Sequence, residues 1–137
     1  VFFLSVGSDF YYKGNQLFIK LLINGSNPEL FLQYPMSPGQ SVTIRDTLIA
    51  HPSDTLVTKY IMNFESNNDL VDVGFEKFVC ARYRMVDIFG DIHSADTTTQ
   101  VLWLSLNKGM IKQESYGQIG NLKYLESKIE LTSYHVN

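Results

Sequence analysis

Phe78-Val79-Cys80-Ala81-Arg82-Tyr83-Arg84-Met85-Val86-Asp87-Ile88 is the stretch that decides the fold. Its alternate residues fall into two sets. Val79, Ala81, Tyr83 and Met85 share one side, and Phe78, Cys80, Arg82, Arg84 and Val86 share the other. A period of two is that of a strand, whose successive side chains point to opposite faces. The first set is apolar throughout and predicts a buried face, whereas the two arginines mark the second as partly wet.

Working outward, blocks rich in Val, Ile, Phe, Tyr and Thr recur between breaks of Gly, Pro, Asn and Asp. Upstream, strands are expected at Val1–Val6, Gln16–Ile23, Leu30–Gln33, Ser41–Leu48 and Leu56–Phe64, with a brief apolar run at Leu70–Val73. Pro38-Gly39 suits the centre of a type II turn, because proline fixes a negative φ and glycine accepts the positive φ that follows. Ser66-Asn67-Asn68-Asp69 reads as the close of the preceding strand. Downstream, Phe89–Asp96 reads as a long loop, Thr97–Asn107 as a strand and Lys108-Gly109 as a turn. Leu122–Val136 has helix-like spacing at Leu122, Leu125 and Ile129, which predicts a helical turn near Tyr124, whereas Thr132, Tyr134 and Val136 predict strand in its C-terminal half. The expectation is an all-β chain: one domain spanning 1–137, a two-sheet antiparallel β-sandwich, jelly-roll-like, with eight or nine strands.

Composition narrows the function. The 137 residues carry 18% charged side chains and a formal net charge of -3, which offers nucleic-acid phosphates no clustered Lys and Arg. No apolar run approaches the roughly 18 residues of a membrane span. Cys80 is the only cysteine, so neither an intrachain disulfide nor a Cys-rich metal site can form. A virion or a cytoplasmic compartment is favoured over secretion, although Asn24-Gly25-Ser26 is a glycosylation triplet. Val1 in place of Met, with no basic stretch and cleavage site after it, reads as a trimmed or processed fragment.

Chemistry-bearing residues are scattered. Asp87, Asp91, His93 and Asp96 crowd one loop, and Asp87, Asp91 and Asp96 are the candidate Ca²⁺ ligands, since that ion takes six to eight oxygens in irregular geometry. The bland reading is a solvated loop whose carboxylates make turns. His51, His93 and His135 lack metal-ligand spacing, and no serine sits in a Gly-x-Ser-x-Gly elbow. Cys80, mid-strand among apolar neighbours, reads as inert. The expectation is a non-enzyme that needs no cofactor. Arg82 and Arg84, alternate on one face, either grip a carboxylate or phosphate or form the solvated face of a sheet. Phe10-Tyr11-Tyr12, read as a turn region, either caps the fold or anchors a protein partner.

Val1-Phe2-Phe3-Leu4-Ser5-Val6-Gly7-Ser8-Asp9-Phe10-Tyr11, followed by Leu17-Phe18-Ile19-Lys20-Leu21-Leu22, resembles the entry into jelly-roll coat proteins of some DNA viruses. The resemblance implies a subunit that packs edge to edge with copies of itself and carries no active site. The expected partner is therefore protein, through self-association. A second reading is a C2- or immunoglobulin-like binding module, for which Pro38-Gly39-Gln40-Ser41-Val42-Thr43 is a familiar turn and strand; its C2 form would depend on Ca²⁺.

Overall fold

The computed structural model describes residues 9–13, 16–21, 29–34, 36–50, 52, 54–105 and 108–133, with only the backbone described for those before Met36 and for 44 and 45. Among the described residues the chain is all-β, with no helix, and it divides into two compact units, Val1–Met36 and Ser37–Asn137. The first unit holds β1 (Asp9–Lys13), β2 (Gln16–Leu21) and β3 (Glu29–Tyr34), an antiparallel sheet in that order. The strand expected at Val1–Val6 and the triplet at Asn24 lie outside the described residues.

The second unit is a six-stranded antiparallel sheet of β4 (Ser41–Ala50), β5 (Thr55–Asp72), β6 (Lys77–Asp91), β7 (Asp96–Ser105), β8 (Gly109–Ile119) and β9 (Leu122–Glu130). Each strand pairs with its neighbours in sequence, so the order is that of a meander. The Greek-key crossings that define a jelly roll are absent from the described pairings. At the entrance, Gln40 N–H donates to Ser37 O at 3.0 Å and Gly39 has φ +91°, the positive value that the Pro38-Gly39 reading required.

The sheet interior follows from register. Phe64, Tyr83, Leu102 and Gln113 stand opposite one another across β5 to β8, and Met62, Met85, Gln100 and Ser115 form the next rung. All eight are buried. The Phe64 and Tyr83 rings meet edge to face, centroids 5.0 Å apart, an arrangement favoured by the ring quadrupoles.

Four expectations need correction. Val79 is 63% exposed although Ala81, Tyr83 and Met85 beyond it are buried, because the buried side changes along β6: Phe78 and Cys80 point the other way, into a cluster with Val71 and Ile111. Ser66–Asp69 does not end a strand; β5 runs through it, absorbing the extra residues as register shifts between Phe64 and Ser66 and between Ser66 and Asp69. The Phe89–Asp96 loop shrinks to a turn, since β6 continues to Asp91. No helical turn forms at Tyr124: β9 is strand from Leu122 to Glu130; Leu131–Ser133 is irregular, and Tyr134 and Val136 lie outside the described residues.

Cys80 sits in the second cluster, its Sγ 3.7 Å from Phe78 O. Burial, helped by the Asp69 charge, pushes the thiol from 9.0 up to about 11. At pH 8 the native thiol is expected to react with a thiol-specific disulfide reagent about a hundredfold or more slower than in urea, because thiolate is the reactive form. A rapid stoichiometric colour change from native protein would refute this. The folded value lies above the unfolded one, so this stabilisation is complete below pH 9 and is lost as the pH rises through about 11.

Candidate interaction surfaces

The face opposite the buried rungs carries the arginines. Register places Arg84, Val101, Glu114 and Lys128 on one rung, and Arg82, Trp103, Lys112 and Glu130 on the next. Charge alternates along β8, from Lys112 to Glu114, and along β9, from Lys128 to Glu130, whereas β6 contributes two cations. Arg84 Nε donates to Glu65 Oε1 at 2.5 Å, and Arg82 Nη1 donates to Asp69 Oδ2 at 2.7 Å. Arg82 Nε lies 2.9 Å from Glu65 Oε2, close enough for charge attraction but not aligned as a hydrogen bond. Of the two sequence readings, the grip on a carboxylate describes both arginines, with Glu65 and Asp69 of β5 as the carboxylates held, on a face that stays partly exposed.

Asp69 is the junction. Its Oδ2 also accepts the indole N–H of Trp103 at 3.2 Å, and Lys112 Nζ stands 4.6 Å from the centre of the Trp103 ring. Beyond it, Lys112 reaches Glu114 at 2.6 Å and Lys128 reaches Glu130 at 2.7 Å. Burial works to raise the Glu114 carboxyl, but hydrogen bonds from Lys112 and Tyr116, with the charges of Lys112 and Lys128, outweigh it and hold it below its ordinary value. Across β5 to β9, four carboxylates face four cations. A sheet face shielded only in part, with Arg82, Arg84 and Lys128 each more than a third exposed, carries charges in this paired form at little cost.

The acidic turn is a separate place. Asp91 is engaged in shaping it: its Oδ1 accepts His93 N–H at 2.9 Å and its carbonyl accepts Ser94 N–H at 3.0 Å. Asp87 lies within β6, opposite Tyr60 and Thr98, and Asp96 opens β7 opposite Phe89. Among the described residues no three His, Cys, Asp or Glu side chains converge as a set able to hold a metal ion. His51 and His135 lie outside the described residues.

Phe10, Tyr11 and Tyr12 fall on β1 rather than in a turn, opposite Ile19, Phe18 and Leu17 of β2. Their side chains lie outside the described residues.

Sequence reasoning named no interaction residue on the outer strands, β4 and β9. Leu48 and Ile49 on β4, and Leu122, Leu125 and Ile129 on β9, are all exposed, Leu122 to 75%. In β9 the Tyr124 ring lies over Gly117 of β8, where an added Cβ would come within 2.5 Å of it. The glycine thus gives the ring its seat. The available signal was the run Leu122-Lys123-Tyr124-Leu125, apolar but without an inward period. Among the described residues no helix is long and apolar enough to cross a membrane. No family model, curated protein or solved structure matches the chain.

Proposed function

We propose that this chain is a non-catalytic structural domain that works by contact, associating with copies of itself. The observation that carries the reading is the exposed apolar side chains on both outer strands of the second unit, Leu48 and Ile49 at one edge and Leu122, Leu125 and Ile129 at the other. Large apolar groups on an outer strand, beside unpaired backbone donors and acceptors, favour joining another chain. The polar face supports the same reading from the other side, since Arg82 and Arg84 are engaged by Glu65 and Asp69.

A virion coat subunit is the specific form to which the opening residues point, and that part rests on the first 23 residues alone. The two-sheet sandwich belongs to the proposal as well: an inward row of Met62, Phe64, Tyr83, Met85 and Leu102 is what one wall of a sandwich presents. Sedimentation of the full chain over a wide concentration range is expected to show reversible association. A strict monomer at the highest concentration would overturn the reading.

A further inference from the structure

β9 pairs with β8 on one side, and among the described strands it has no neighbour on the other. All of its residues except Glu130 are exposed. The sequence Leu122-Lys123-Tyr124-Leu125-Glu126-Ser127-Lys128-Ile129-Glu130 carries a basic residue, Lys123, near one end and an acidic residue, Glu130, at the other, with apolar side chains near both. An edge strand of this kind can meet a second copy of itself across a twofold axis, the two sheets then running on as one.

Register decides whether it fits. Leu125 stands opposite Tyr116 and Ser127 opposite Ser115, so Glu126 is the extra residue of a bulge. The bulge shifts the alternation within β9. Lys123 and Leu125 thereby share a face with Lys128 and Glu130, while Tyr124 shares the other with Ser127 and Ile129. Residues opposed across an antiparallel pair must point to the same face. That rule forbids the fully overlapped register, which would set Lys123 against Ile129, and leaves the two that overlap almost as far. One places Lys123 against Lys128 and Tyr124 against Ser127. The other places Lys123 against Glu130 and Tyr124 against Ile129, each pair occurring twice about the axis.

We infer that β9 is the self-association edge, pairing antiparallel with β9 of a second copy in the register that joins Lys123 to Glu130. The inference rests on the reading that the domain associates with itself, and adds which strand does so and how. The same charges explain why the edge is selective. Slipping by one allowed step sets Lys123 against Lys128, and like charges directly opposed disfavour the pair. The bulge and the two lysines guard the edge against foreign strands, yet leave one register in which it complements itself.

Charge reversal tests this. Lys123→Glu opposes Glu to Glu at both ends of the pair, and Glu130→Lys opposes Lys to Lys. Each variant alone is expected to raise the dimer dissociation constant by about tenfold or more, since two attractions become two repulsions. An equimolar mixture of the two variants restores opposite charges at both contacts, and is expected to dimerise within about threefold of wild type. Sedimentation equilibrium of wild type, each variant and the mixture, with circular dichroism to verify the fold, gives every arm. A wild-type dimer indifferent to both reversals, or a mixture no tighter than its components, would overturn the β9 pairing and leave self-association standing. A wild type that stays monomeric throughout would overturn both.

Discussion

Phe64→Ala is expected to destabilise the second unit by about 3–5 kcal/mol, the usual cost of emptying a buried phenylalanine site. Phe64 is 1% exposed and stands in the middle of the rung that joins Tyr83, Leu102 and Gln113. Truncation removes the ring from contact with its neighbours and also deletes the edge-to-face pair with Tyr83. The site cannot collapse easily. The Phe64 backbone is fixed on both sides, its N–H donating to Gln40 O at 2.9 Å and its carbonyl accepting Gly39 N–H at 2.8 Å. Phe64→Leu keeps most of the volume and should cost only about 1–1.5 kcal/mol. Trp103 is the single tryptophan and lies in the same sheet, so urea unfolding followed by its fluorescence reports this unit. A loss below about 1.5 kcal/mol for the alanine variant would mean that the rung is not where the unit draws its stability.

That rung was legible where its residues were apolar and illegible where they were not. The alternation of Ala81, Tyr83 and Met85 named one side of β6 correctly, because a strand with one dry face must repeat every second residue. Pro38-Gly39 was legible for a stereochemical reason, a fixed φ followed by a permissive one. β8 escaped. Its inward residues include Gln113, Ser115 and Gly117, and its outward ones Lys112, Glu114 and Tyr116, so hydropathy does not alternate although burial does. Ser66-Asn67-Asn68-Asp69 misled in the opposite sense: turn-forming residues are also what bulges accommodate, and the neighbouring β6 held the strand in line.

The same stretch hid half of the polar face. Arg82 and Arg84 announce themselves by spacing on one strand, but their partners Glu65 and Asp69 are separated by four positions and reach the arginines only because bulges bring both within range. Charge pairing across strands depends on register, and register is set by residues remote in the chain.

Asp69→Ala is therefore expected to cost about 2–3 kcal/mol, more than an exposed ion pair and less than a fully buried one. The carboxylate is partly shielded, at 22% side-chain exposure. One oxygen serves two donors, the Arg82 guanidinium and the Trp103 indole, and alanine leaves both without it. Arg82 would keep the Glu65 charge nearby, whereas the indole N–H would lose an acceptor within a half-buried site. Asp69→Asn keeps an oxygen acceptor but removes the charge, and should recover about half of the loss. A second reading distinguishes lost electrostatics from general loosening. The Asp69 charge helps hold the Cys80 thiol high, so both variants should lower the thiol titration while the thiol stays slow to react at pH 8. If Asp69→Ala leaves stability within about 0.5 kcal/mol of wild type and the thiol titration unmoved, Asp69 is not the junction of the charged face.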